Sequence, residues 1–244
     1  MLLCIDSGNT RLKWGVHDGQ GWRQRGALQQ AEVSQLAAQL HAFPELQDVA
    51  ISHVAGETVA AGLEAALAAL GLNGRFLASS PEAAGVRNGY REPERLGVDR
   101  WCALVGARGL CPGAVLVVSA GTATTIDSLD AEGRFLGGLI LPGFDLMRGA
   151  LARGTAQLPL AAADYNPWPG HTQQAIVSGC IEAQVGAIER AYRRLAALAG
   201  ETRCLLTGGA APYLIDALAV PHEQRDDLVL EGVRRLAAWS ATEN

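Results

Sequence analysis

Apolar and polar positions alternate in blocks along the first thirty residues, and the same block order returns midway through the chain. LLCIDSGNTRLKWGVHDGQGWRQRGAL (residues 2–28) holds an apolar run, a small-residue turn with glycine, a second run, an Asp- and Gly-containing turn and a third run. AVLVVSAGTATTIDSLDAEGRFLGGLI (residues 114–140) repeats that sentence. Short apolar runs bounded by Gly/Asp/Asn turns predict antiparallel strands, so each unit reads as three strands in succession.

The segments after the two units correspond as well. After the first come a helix-patterned stretch near Val33–Phe43, a strand DVAISHVA, an Ala/Leu-rich helix VAAGLEAALAAL and a strand RFLAS. After the second come a long helical segment from about Gln173 to Leu198, a strand RCLLTGG, a short helix near Ala211–Ala217 and a last helix LVLEGVRRLAAW. The order β-β-β-α-β-α-β is that of a ribonuclease-H-like lobe, and the sequence predicts an α/β protein of two such lobes produced by internal duplication. We expect residues 1–112 in one lobe and 113–244 in the other, joined near Gly109–Gly113, with the two Gly-rich hairpins facing one cleft. ASSPEAAGVRNGYREPERLG (residues 78–97) is punctuated by Pro81, Gly85, Gly89 and Pro93 and reads as a long loop, a kind that often carries function.

Composition narrows the class. With 49% hydrophobic and 18% charged residues over 244 positions, and a mean hydropathy of +0.11, the chain is too apolar for disorder. No apolar run approaches the roughly 18 residues of a spanning helix, and an acid falls where a signal peptide needs its apolar core, so we expect a cytoplasmic protein with no membrane partner. The net charge of −5 and the absence of a basic cluster interleaved with aromatics exclude the usual footprint of nucleic-acid binding. Cys4, Cys102, Cys111, Cys180 and Cys204 form no CxxC pair and sit in apolar stretches, as reduced core thiols do. The five histidines show no metal-binding spacing.

Two turns carry candidate chemistry. Asp6-Ser7-Gly8-Asn9-Thr10 ends the first strand with a carboxylate, followed by a turn where Gly8 lets backbone N–H groups approach an anion. Lys13 adds a positive charge, and Asp6 is suited to Mg²⁺, which favours carboxylate and phosphate oxygens. Taken alone, this is equally a plain hairpin with a DSG turn. The matching turn, Ser119-Ala120-Gly121-Thr122-Ala123-Thr124-Thr125, places Gly121 where Gly8 stands in the first unit, with Thr122 as a backbone and hydroxyl donor. Two phosphate-cradling turns on opposite walls of a cleft would look like this. Gly97-Val98-Asp99-Arg100 offers a carboxylate and a guanidinium fork, although an ordinary helix N-terminus would also place an acid there.

DSGNTRLKW, LGVDRW and AGTATTID, in this order and spacing, closely resemble type III pantothenate kinases, of the superfamily that also holds actin, sugar kinases and chaperone ATPases. GGLILPGFDLMRGALARGTAQLP, TQQAIVSGCIEAQVGAIE and LLTGGAAPYL carry the resemblance over nearly the whole chain. It implies ATP-dependent phosphorylation of pantothenate, the first step of coenzyme A biosynthesis, by a homodimer using Mg²⁺ with ATP. The alternatives are a kinase or phosphohydrolase acting on another small alcohol or phosphate ester, and a non-catalytic regulatory relative. By the resemblance Asp6, Ser7, Gly8, Asn9, Thr10, Arg11, Leu12 and Lys13 form the first phosphate motif, and Gly121 and Thr122 belong to the second. Tyr90, Gly97, Val98, Asp99, Arg100 and Thr172 contact pantothenate, with Asp99 the proton acceptor and Arg100 on the substrate carboxylate. The family commonly has an acid where this chain has Ser119, associated with bound K⁺ or NH₄⁺. Serine removes that charge, so weaker monovalent-cation activation is expected.

Overall fold

The computed structural model describes residues 1–155 and 158–242. Its contacts divide the chain into two compact units, residues 1–110 with 227–244, and residues 111–226. Both are ribonuclease-H-like.

In the first unit the chain runs β1 (Leu2–Ser7), β2 (Arg11–His17), β3 (Trp22–Gln29), a 3₁₀ turn (Gln30–Gln35), α1 (Leu36–Leu40), β4 (Asp48–His53), α2 (Glu57–Ala68) and β5 (Gly74–Phe76). The sheet order is β3-β2-β1-β4-β5, with β1 antiparallel to β2 and parallel to β4. Strand alternation sorts β1 by face. Leu3 and Ile5 join a core with Trp14, Leu36, Leu40, Leu63 and Leu67, and Cys4 and Asp6 take the opposite face.

The loop over 78–97 contains a two-residue-arm hairpin, β6 (Glu82–Ala83) and β7 (Val86–Arg87), and a 3₁₀ turn at Pro93–Arg95. It is pinned from within. Asn88 Nδ2 donates to the carbonyls of Ser80 (3.3 Å) and Pro93 (3.0 Å), its Oδ1 accepts from Tyr90 N at 3.1 Å, and Ser79 Oγ donates to Leu96 O at 2.7 Å. The loop then enters α3 (Val98–Leu110).

The second unit repeats the plan with β8 (Ala114–Ala120), β9 (Ala123–Leu129), β10 (Phe135–Pro142), α4 (Phe144–Gly154), α5 (Thr172–Ala199), β11 (Thr202–Thr207), α6 (Pro212–Ile215) and β12 (Glu223–Gln224). Its sheet order, β10-β9-β8-β11-β12, is the counterpart of the first. Leu116, Val118 and Ala120 pack with Ile176, Cys180, Ile181 and Ile188 of α5. All five cysteines are buried and unpaired as disulfides.

Two features depart from the sequence reading. The helices α3 and α4 go beyond the predicted elements; α3 is buried at Val98 and at every position from Arg100 to Ala107, so it has no polar face to mark its period. The last helix, α7 (Leu228–Thr242), belongs with the first unit, where a division at 112/113 places it with the second. Glycines explain its place: a Cβ on Gly232 would lie 1.7 Å from Cys102 O, and one on Gly106 2.2 Å from Leu228 O. Backbone therefore meets backbone between α3 and α7, a fit that no side chain at either position would permit.

Candidate functional site

In the first unit, hydrogen bonding pairs Asp6 of β1 with Lys13 of β2 as direct cross-strand neighbours, so their side chains share a face. Asp6 is partly buried. Burial first, then the negative charge of Asp99, push its carboxyl up to about 7, and Lys13 opposes the shift. A carboxylate that is costly to ionise in this way favours a cation close by. Between the strands, Gly8 N donates to Arg11 O at 3.1 Å, closing a turn whose Asn9, Thr10 and Arg11 are exposed. Ser7 and Leu12 are wholly buried, so the side chains of these two do not reach the surface of the turn.

Asp99 lies in the first turn of α3. Gly97 O accepts from Trp101 N at 3.0 Å, which starts the helix, and Asp99 Oδ1 accepts from Arg100 N at 2.9 Å. A Cβ at Gly97 would stand 2.7 Å from Asp99 Oδ1, so the glycine makes room for the carboxylate. Val98 turns into the core. Arg100 is buried, donates through Nη1 to Tyr90 Oη at 2.9 Å and lies 5.7 Å from that ring's centroid. A buried guanidinium is stable only with such partners, and an anionic ligand would add another. The loop, through Tyr90, and α3, through Asp99 and Arg100, thus bring four of the predicted acceptor residues, Gly97 among them, to one helix N-terminus.

In the second unit, Gly121, Thr122 and Ala123 are exposed at the β8–β9 turn, with Gly121 N donating to Ala123 O at 3.0 Å. The turn is clamped from both sides. Gly143 N donates to Thr122 O at 2.9 Å and Ala210 N to Ala120 O at 2.9 Å. A Cβ on Gly143 would lie 2.1 Å from Gly121 O, and one on Gly208, whose φ is +101°, 2.2 Å from Ala120 O. By contrast, a Cβ on Gly8 or Gly121 would meet nothing nearer than 3.5 Å and 3.7 Å, and neither has a positive φ. The protein itself has room for alanine at those two positions, so packing within the described residues does not demand glycine there.

Ser119 stands opposite Thr125 of β9 and Thr207 of β11, a row of three hydroxyl side chains on one face. Thr125 Oγ1 is buried without a hydrogen-bond partner, which costs about 1–3 kcal/mol if nothing answers it. Thr172 is the first residue of α5, exposed, behind an N-cap made by His171, whose Nδ1 accepts from Gln174 N at 3.4 Å. It lies in the second unit, apart in the chain from the other acceptor residues.

The pattern reading did not single out Gln30, His53, Asn88, Gly143 or Gly208, all of which touch the candidate turns or the loop. Asn88-Gly89 and the Gly208-Gly209 pair are local turn signals; Gln30 and His53 carry no such signal, because each meets Ser7 only through the tertiary fold.

A family profile for type III pantothenate kinase matches residues 2–194. The chain is 53% identical over 241 residues to a type III pantothenate kinase of Aromatoleum aromaticum, covering 99% of each chain. It is 49% identical to one of Dechloromonas aromatica, covering 98% of this chain and 100% of the other. The chain belongs to the type III pantothenate kinase family.

Among solved structures it is similar in fold to a candidate Baf family transcriptional activator of Campylobacter jejuni, with a TM-score of 0.62, 20% identity and coverage of 98% and 99% of the two chains. The same TM-score, at 16% identity and 97% and 98% coverage, relates it to a candidate 2-dehydro-3-deoxygalactonokinase of Sinorhizobium meliloti. These likenesses speak for the two-lobed fold of actin-like kinases, which type III pantothenate kinases share. Among the described residues no helix is long and apolar enough to cross a membrane.

Proposed function

We propose that this chain transfers the γ-phosphoryl group of ATP to the primary hydroxyl of pantothenate, giving 4'-phosphopantothenate for coenzyme A synthesis in the cytoplasm. Family membership supplies the reaction class. The observation that carries the assignment of residues is the pair Asp6 and Asp99, on a strand end and a helix N-terminus, close enough for one charge to raise the other's pKa.

Phosphoryl transfer passes through a loose transition state, so the protein's task is mainly positioning and charge stabilisation. In this reading the exposed turn Gly8–Arg11 and Lys13 of the first unit, and Gly121 and Thr122 of the second, receive phosphate oxygens. Arg100, oriented by Tyr90, takes the carboxylate of pantothenate as a fork, and Thr172 contributes a hydroxyl. Asp99 accepts the proton of the attacking hydroxyl.

Mg²⁺ fits the residues present. Among the described residues no cluster of three or more His, Cys, Asp or Glu could cage a metal, and Mg²⁺ characteristically needs only one or two carboxylates when phosphates complete its shell. Asp6 would hold it, relieving the repulsion from Asp99. Held by Asp6, such an ion would supply neutralisation of the phosphate charge.

We assign the assembly to a homodimer, on the exposed apolar side chains of the second unit. Ile140 (64% exposed), Leu160 (65%), Trp168 (86%), Leu139, Leu146 and Leu151 are all exposed there, apolar area that a second copy of the chain would cover. Size-exclusion chromatography with light scattering should return about twice the chain mass.

The test of function offers the purified protein Mg-ATP with pantothenate, pantetheine, sugars or other small alcohols, and follows ADP release. Pantothenate-dependent turnover is expected. Arg100→Lys and Thr172→Val should raise KM for pantothenate more than for ATP, and Thr122→Val the reverse. Turnover only with another acceptor would redirect the substrate assignment.

A further inference from the structure

Ser7 lies between the metal-side carboxylate Asp6 and Gly8, yet its side chain is fully buried and cannot itself reach a nucleotide. Its hydroxyl is held from two directions. His53, the last residue of β4 and the register partner of Ser7, places Nδ1 3.0 Å from Ser7 Oγ and Nε2 3.0 Å from Gly56 O. A carbonyl only accepts, so Nε2 carries the hydrogen; in the neutral ring Nδ1 then accepts, and the Ser7 hydroxyl is the donor. Gln30 Nε2 in turn donates to Ser7 Oγ at 3.3 Å and to Gly8 O, and Gln30 N donates to Thr10 O at 3.2 Å. Val54 N donates to Ser7 O at 3.0 Å. The roles interlock: each hydrogen of the network has one acceptor, and the turn is fastened at Ser7, Gly8 and Thr10 by residues from two other segments.

We propose that His53 and Gln30 are positioning residues of the nucleotide site. They act through Ser7 and Gly8 to fix the backbone of the Gly8–Arg11 turn before a phosphate arrives. Neither touches the nucleotide. The inference rests on the reading of this turn as a phosphate site, and it goes further by naming what makes the turn rigid. A preorganised turn needs no ordering when the ligand binds, so loosening it should weaken nucleotide binding while the acceptor side, built on α3 and Asn88, is spared.

The experiment is steady-state kinetics on the full-length protein, varying ATP at saturating pantothenate and the converse, with melting temperatures alongside. The variants are Ser7→Ala, His53→Ala, His53→Asn, Gln30→Ala and the double variant Ser7→Ala with His53→Ala. We expect His53→Ala and Gln30→Ala each to raise KM for ATP about 5- to 20-fold with KM for pantothenate changed less than about twofold. His53→Asn keeps an acceptor near the place of Nδ1 and should recover most of the loss. In the double variant, removing His53 should add nothing to the effect of Ser7→Ala, because the two act as one unit.

Multiplicative effects in the double variant would overturn the proposal, since His53 would then act independently of Ser7. A normal KM for ATP in Gln30→Ala, at unchanged melting temperature, would overturn it too and leave the phosphate reading of the turn standing. A rise confined to KM for pantothenate would instead remove that reading. Should His53→Ala fail to fold, Gln30→Ala and His53→Asn still decide the matter.

Discussion

Asp6 at the end of β1 faces the charge of Asp99 in the first turn of α3; burial first, and then that repulsion, push the Asp6 carboxyl up from its ordinary 3.8 to about 7. The folded protein therefore keeps a proton that the unfolded chain has already released. Between about pH 4 and 7 this group makes the metal-free fold progressively less stable as pH rises, with no further change above 7. Thermal melts of metal- and nucleotide-free protein should show that slope, and Asp6→Asn should flatten it. A wild-type profile parallel to that of Asp6→Asn would show that the carboxyl is not strained. Mg²⁺ with nucleotide should raise the melting temperature more at about pH 7.5 than at about pH 5.5, because only the ionised carboxylate attracts the metal.

Asp99→Asn should lower kcat by about 10²-fold, the low end of the range for a positioned acid or base, since a loose transition state asks little of the base. Gly97→Ala is a subtler probe of the same group. Its methyl would occupy space 2.7 Å from Asp99 Oδ1 and should push the carboxylate aside, reducing kcat by roughly tenfold while the melting temperature changes little. Near-normal kcat in both variants would remove Asp99 from its role.

The glycines of the second turn separate ligand space from packing. Gly121→Ala should preserve the melting temperature and raise KM for ATP about tenfold, and Gly8→Ala should behave alike. Gly143→Ala and Gly208→Ala, whose methyl groups would run into the backbone of that turn, should lower the melting temperature by several degrees, in line with a core clash of about 1–3 kcal/mol. Equal losses of stability across all four would show that Gly8 and Gly121 are structural.

Ser119, with Thr125 and Thr207 beside it, gives a neutral hydroxyl row. Without a formal charge the row lacks the main attraction for a monovalent cation in a partly desolvated place. Rates in Na⁺, K⁺, NH₄⁺ and cation-poor buffer should differ by less than about twofold for the native protein, and Ser119→Asp should gain K⁺ dependence. Strong K⁺ activation of the native protein would show that hydroxyls suffice.

The strands β1–β3 and β8–β10 were legible in the sequence because they are hairpins, in which Gly/Asp turns and apolar runs alternate over short distances, whereas the two-residue β12 was not. Asp6 and Gly121 stand out as candidates for the same reason, each at the edge of an apolar run, whereas Asp99 is marked as a candidate by the resemblance of LGVDRW to the family. Other features are written in three dimensions only. The buried run Arg100–Ala107 hides the period of α3, and the clamp on Ser7 joins residues 23 and 46 positions away. Arg100 itself, a charged residue buried in α3, breaks the apolar pattern that would have revealed the helix.

The backbone contact of Gly232 with Cys102 and of Gly106 with Leu228 sets an order on biosynthesis. Residues 1–110 leave the ribosome before the second unit, but the helix that lies against α3 is made only after it. The second unit, residues 111–226, is contiguous and can complete itself while the first still waits, its α3 lacking the α7 backbone that packs against it. The lobe begun earlier is thus finished later, and Asp99 and Arg100 gain their permanent support only once the whole of the second unit has been made.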